Sequence, residues 1–127
     1  MKIKIPVSVG ELFDKISILD NKRLEITQAD KVKNILKELN MLRKIAFKLD
    51  ENFEKDSDYK KLAKINRALW FIEEGKRECE RKKNFGQGFI DLARKVYVEN
   101  DKRAKVKRAI NKKYGSDIVE EKSYKKY

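Results

Sequence analysis

The chain has almost none of the residues on which disulfide-linked and zinc-bound folds depend. Among its 127 residues there is one cysteine and no histidine. A single cysteine excludes an internal disulfide framework. The absence of histidine excludes a histidine-ligated zinc site and a histidine general base for a serine or cysteine nucleophile. We therefore expect neither a metal site nor a cofactor.

Long hydrophobic segments are also missing. The longest unbroken apolar run, ALWFI at residues 68–72, is far too short to span a bilayer. Residues 1–6, MKIKIP, are basic but lack the apolar stretch and the small-residue cleavage site of a secretory signal. We expect a cytoplasmic protein without membrane association.

Proline and glycine are scarce, at one and five residues, which disfavours strands joined by tight turns. Apolar residues recur instead at helical spacing along most of the chain. The sequence predicts an all-α fold, a single-domain bundle of about five helices over residues 1–127, with a short extended N-terminal lead whose isoleucines pack inward. The helices are predicted over residues 8–28, 31–52, 58–83, 89–98 and 101–113, with residues 114–127 as a tail that is flexible at least in part.

Several helix ends carry recognisable capping residues. Ser8 and Glu11 match a capping box, in which Ser8 accepts from the Glu11 amide and Glu11 reaches back. Asn100 or Asp101 is an expected N-cap for a fifth helix, and Gly115 fits the position just beyond its C-terminus. These signals predict a short turn near residue 99 that separates the last two helices.

Positive charge is concentrated near the C-terminus. The chain has 33 basic and 21 acidic residues, a net charge of +12, and residues 101–127 carry ten basic and four acidic residues. This uneven distribution suggests an anionic partner. Glu120 and Glu121 would mask the patch if they folded back onto the basic helix. The residues expected to bind the polyanion are Arg103, Lys105, Lys107, Arg108 and Lys112.

The kind of basic residue limits what this surface can recognise. Lysine accounts for 25 of the 33 basic residues, and its ammonium is a point charge without the bidentate fork of arginine. The chain shows neither C₂H₂ zinc-finger spacing nor an RNP-type segment. A helix-turn-helix in the last two helices is geometrically possible. Any nucleic-acid binding is expected to contact the backbone rather than to read bases.

A second candidate site lies on the predicted third helix. Asn66, Trp70, Glu73 and Arg77 step by four, three and four residues, so they share one flank. An amide, an indole, a carboxylate and a guanidinium in line are suited to a small polar ligand. The simpler interpretation is that Trp70 covers the core and that Glu73 and Arg77 form a surface ion pair. The neighbouring residues added to this candidate ligand site are Tyr97 and Asp101.

Residues 5–19, IPVSVGELFDKISIL, are similar to the opening of an uncharacterised family of small bacterial and phage proteins. The C-terminal pattern NDKRA followed by EEKSY, at 100–104 and 120–124, is also similar. Further similar blocks are NRALWFIE at 66–73 and FIDLARKVY at 89–97. The family has no established activity, so the resemblance supports one domain and transfers no function.

The preferred hypothesis is a non-enzymatic helical binding module that docks on a nucleic acid or an acidic protein through its basic C-terminal surface. One alternative is a small helical enzyme or small-molecule receptor with a polar site around Trp70. A second alternative is a structural component of a larger assembly.

Overall fold

Four long α-helices account for most of the molecule. A computed structural model describes all 127 residues and contains no strand. The helices are α1 (Val9–Glu25), α2 (Ala29–Leu49), α3 (Ser57–Arg81) and α4 (Gln87–Lys113), and a short 3₁₀ helix, Phe53–Lys55, precedes α3. The prediction of an all-helical bundle is confirmed. No helix combines the length and the apolar character that crossing a bilayer requires.

Some of the predicted capping residues lie at the ends of the observed helices. The Ser8 hydroxyl accepts from the Glu11 amide at 3.1 Å, as expected of an N-cap. Glu11 does not reach back, because its carboxylate binds Lys107. The cap of α3 is Asp56, whose carboxylate accepts from two backbone amides. Gly115 follows α4 with a φ of +63°, the left-handed conformation that glycine adopts readily.

The predicted break between a fourth and a fifth helix is wrong. One continuous helix, α4, replaces the predicted segments 89–98 and 101–113, so the molecule has four long helices rather than five. No glycine or proline interrupts residues 89–114. Asn100 does not cap a helix; its side-chain oxygen accepts from Arg103 Nη1 at 3.3 Å. The continuity of α4 also excludes the helix-turn-helix considered for this region.

Helix α1 is the central element, because it packs against α2, α3 and α4. An aromatic cluster closes the core where α1, the 3₁₀ helix and the start of α3 meet, with Phe13 between Phe53, Tyr59 and Tyr114 at ring distances of 5.2 to 5.7 Å. Helices α3 and α4 run antiparallel and approach closely at Gly75, where a Cβ would lie 3.0 Å from Leu92.

The two ends of the chain differ from each other. The N-terminal lead, residues 1–7, has no regular secondary structure, but Ile3 and Ile5 are 80% and 69% exposed, so the expectation that they pack inward is wrong. Residues beyond Gly115 form no helix either, yet they lie back along α4 and contact it. This return of the tail shapes the candidate site.

Candidate functional site

The inward face of α4 is polar where it meets α1. Arg103, Lys107 and Asn111 follow one another at four-residue spacing, and Lys107 and Asn111 are buried. The close approach depends on Gly10, because a Cβ there would lie 2.7 Å from the Lys107 carbonyl oxygen. The Gly10 amide donates to Asn111 Oδ1 at 2.7 Å. The N-terminus of α1 is therefore fixed against the polar stripe of α4.

Asp14 is the centre of a buried polar network. Its side chain is 1% exposed, and its carboxylate accepts from Arg103 Nε at 3.0 Å and from Asn66 Nδ2 at 2.8 Å. Asn66 also donates to the Ser17 hydroxyl at 2.6 Å. The hydrogen bond to Asp14 raises the pKa of the Arg103 guanidinium above its usual value. The network thereby joins α1, α3 and α4 with charged and neutral hydrogen bonds.

Lys107 is a buried cation held by three carboxylates. Its ammonium donates to Glu11 and to Glu120, each at 2.8 Å, and lies 3.7 Å from Asp14. Burial acts to lower the pKa of this ammonium, but the hydrogen bonds to Glu11 and Glu120 outweigh burial and raise it. Lys107 is therefore fully charged and internally neutralised.

The five residues expected to bind a polyanion thus fall into two groups. Arg103 and Lys107 already form ion pairs with carboxylates of the protein, and the Arg108 guanidinium pairs with Glu121 at 2.6 Å. Lys105 and Lys112 are exposed and form no ion pair. The masking by Glu120 and Glu121 that the sequence left open is what the structure shows.

The tail and α4 enclose a groove of about 760 Å³. The rings of Tyr97 of α4 and Tyr127 of the tail pack edge to face at one end, with their centroids 5.0 Å apart. Acidic groups in its lining are limited to Asp101 and Glu120. The cations of its lining are Lys105, Lys107, Arg108, Lys122, Lys125 and Lys126.

A second groove, of about 490 Å³, adjoins the first on the α3 side of α4. Its single acidic residue is Glu99, and Lys105 lines both grooves. Cationic groups therefore continue from α3 across α4 to the tail. We call this surface the lysine band; its members are Lys61, Lys64, Lys102, Lys105, Lys122, Lys125 and Lys126.

Five members of the lysine band have no carboxylate partner. Lys61 and Lys102 pair with Asp58 and Glu99 at 3.8 and 3.0 Å, and both lysines are well exposed. The unpaired members are Lys64, Lys105, Lys122, Lys125 and Lys126. Sequence reasoning missed all of the band except Lys105, because α3 and the tail meet α4 only in the folded molecule.

The residues of the alternative ligand site are not brought together. Asn66 is buried in the Asp14 network, whereas Glu73 is exposed and pairs with Lys76 instead of Arg77. Trp70 is half-buried, and its indole N–H has no hydrogen-bond partner. The two remaining residues of this set, Tyr97 and Asp101, line the groove between α4 and the tail.

The sequence did not predict the Asp14 network, because the search for helical periodicity uses apolar residues only. Polar residues on a buried helix face therefore go undetected. A usable signal was nevertheless present in α1. Gly10, Asp14, Ser17 and Asn21 follow one another at spacings of four, three and four among the core residues of that helix. An acidic residue on that stripe requires a buried partner, which Arg103 supplies.

Metal binding has no support in the arrangement of side chains. No group of three or more cysteine, aspartate or glutamate side chains is placed to hold a metal ion.

Comparison with known proteins gives a family and nothing more specific. The model of one family, described as a family of unknown function (DUF6165), matches residues 1–127. No curated protein and no solved structure matches the chain.

Proposed function

The chain belongs to that family of unknown function, and we propose from its geometry that it binds nucleic acid by the phosphate backbone along the lysine band. The observation that supports this proposal is the continuity of cationic groups through two adjoining grooves that share Lys105. Phosphates that approach such a surface exchange condensed counterions for lysine contacts, which favours binding.

The composition of the band favours nucleic acid over an acidic protein. Three tyrosines, Tyr97, Tyr124 and Tyr127, line the same groove as the tail lysines. Tyr124 is 79% exposed and offers a ring face on which a base can stack. Lysines without arginine forks hold phosphates without selecting a sequence. We therefore propose a single-stranded, sequence-tolerant ligand.

Charge reversal on the band tests the proposal. The variant K105E/K122E/K125E changes three unpaired lysines of the α4–tail groove, and K31E/K33E/K37E makes the same charge change at exposed positions of α2. Anisotropy of a labelled single-stranded RNA should show binding lost in the first variant and largely kept in the second. Equal losses would mean that net charge alone is responsible.

Competitors distinguish the kinds of anionic partner. Unlabelled single-stranded RNA, duplex DNA and polyglutamate are added separately to the complex with labelled single-stranded RNA at constant ionic strength. Single-stranded competitor is expected to displace the RNA most efficiently. Tighter binding of polyglutamate than of any nucleic acid would overturn the proposal in favour of an acidic protein partner.

The remaining parts of the proposal concern setting and mechanism. We place the protein in the cytoplasm of a bacterium or in a phage-infected cell, where nucleic acid is accessible, and assign it no catalytic step. A receptor or enzyme site around Trp70 is not favoured, because the residues required for it lie apart.

A further inference from the structure

We propose that the acidic pair Glu120–Glu121 is an internal competitor that occupies anion positions on α4 until a polyanion displaces it. This inference rests on the proposed function and adds a regulatory step to the same surface. The carboxylates of Glu120 and Glu121 bind Lys107 and Arg108 at 2.8 and 2.6 Å. Both cations line the groove between α4 and the tail, where phosphates are expected.

The contact is placed where it can open. Residues 117–127 form no helix and are exposed throughout, so few packing interactions hold them on α4. Glu121 and Arg108 are 70% and 54% exposed, and ion pairs at such positions contribute little to stability. A phosphate that takes the place of the Glu121 carboxylate on Arg108 therefore meets little resistance.

Glu120 is the surplus carboxylate of the buried network. Two cations, Arg103 and Lys107, face three carboxylates, those of Glu11, Asp14 and Glu120. When Glu120 leaves, two cations and two carboxylates remain. No buried charge is then left without a partner, so release of the tail does not carry the penalty of an unpaired buried ion.

The tail has both signs of charge next to each other. Glu120 and Glu121 directly precede Lys122. Lys125 and Lys126 lie three and four residues after Lys122. Displacement of the acidic pair removes two negative charges from the α4 surface, one of them from the groove, while the lysines on the same segment stay available to the ligand. The structure thus represents a closed state, and bound nucleic acid selects an open one.

Neutralising the acidic pair separates this inference from the proposed function. The variant E120Q/E121Q removes the two negative charges that pair with Lys107 and Arg108. The control E38Q/E51Q removes two exposed glutamates without ion pairs elsewhere, so both variants have the same net charge. Because only the first variant removes the competitor, it should bind single-stranded RNA about fivefold more tightly than the control at equal salt.

Each outcome has one meaning. If the wild type binds RNA and the two variants bind equally, the competitor does not exist and the proposed function stands. If neither the wild type nor E120Q/E121Q binds any nucleic acid, the proposed function fails and the inference fails with it. Binding by E120Q/E121Q alone supports both.

A second measurement detects the displacement directly. Nuclear Overhauser contacts between the Glu120–Glu121 pair and α4 in the wild type should weaken when saturating RNA is added, because the acidic pair has left α4. The Tyr97–Tyr127 ring contact should disappear in nuclear Overhauser spectra at the same time. Unchanged contacts of the acidic pair and an intact ring contact in the RNA complex would overturn the inference.

Discussion

Asp14 holds three helices together through one carboxylate. It lies on α1, accepts from Asn66 of α3 and from Arg103 of α4, and is 1% exposed. A buried carboxylate of this kind is retained only when its partners compensate for lost hydration, and the cations depend on it in the same way. Its removal therefore leaves the Arg103 guanidinium without its carboxylate partner.

Replacement of Asp14 by alanine should destabilise the fold strongly. Arg103 and Lys107 would lose a carboxylate partner, and a buried pair broken on one side costs about 3 kcal/mol when one cation is partly exposed. The free energy of unfolding in urea measures the effect. Asp117→Ala, at an exposed position in the tail, is the control and should change it by less than about 0.5 kcal/mol. A D14A protein as stable as the control would contradict the role given to the network.

Gly10 and Gly88 form a matched pair for the contact between α1 and α4. A Cβ at Gly10 would lie 2.7 Å from a backbone oxygen of α4, whereas a Cβ at Gly88 would meet no atom within 4 Å. Gly10→Ala should therefore cost about 1–3 kcal/mol of unfolding free energy, since backbone must shift. Gly88→Ala should raise the free energy of unfolding by about 0.5 kcal/mol, because alanine has a higher helix propensity than glycine. Equal changes at the two sites would show that α1 does not depend on close approach.

For the individual helices, the sequence predicts the features that depend on residues close together in the chain. The cap at Ser8, the glycine stop at Gly115 and the apolar spacing of the helices are local, and they are confirmed. The break at Asn100 was wrong because an asparagine that can cap a helix can also lie inside one and bind Arg103. The burial of Lys107 and the return of the tail depend on residues about 100 and 13 positions away, so no local pattern contains them.

The docking of the tail should depend on pH. The hydrogen bond from Lys107 holds the pKa of Glu120 below its usual value of 4.5. A depressed folded-state pKa means that the contact contributes its full stability above pH 4.5 and loses it as the pH falls through the folded value. Nuclear Overhauser contacts between Glu120 and α4 should therefore weaken as the solution is acidified.

A variant identifies the group responsible for this pH dependence. Glu11, Asp14 and Arg103 also surround Lys107, and the Glu11 carboxylate accepts a hydrogen bond from the same ammonium as Glu120. In Glu120→Gln the contacts between residue 120 and α4 should be weak at every pH. If the acid-dependent step persisted in that variant, a group other than Glu120 would be the cause.

At the scale of the whole molecule, net charge and available charge are different quantities. The chain carries +12, but most of the cations of α4 that face α1 or the tail are neutralised by Asp14, Glu11, Glu120 and Glu121. Part of the excess charge is exposed where α3, α4 and the tail meet, and there it is continuous. A polyanion responds to that arrangement rather than to the total, because exposed charges farther than about 10 Å are screened at moderate salt.

The salt dependence of RNA binding counts the phosphates that the lysine band neutralises. If the five unpaired lysines each neutralise one phosphate of a single strand, the logarithm of the association constant should fall with the logarithm of salt at a slope of about −3.5. Neutral substitution in K105Q/K122Q/K125Q should reduce the slope by about 2, since each contact contributes about 0.7. The same substitutions at Lys31, Lys33 and Lys37 of α2 lower the net charge equally and should leave the slope unchanged. If the two variants had the same slope, RNA would be responding to the net charge of the protein and not binding along the lysine band.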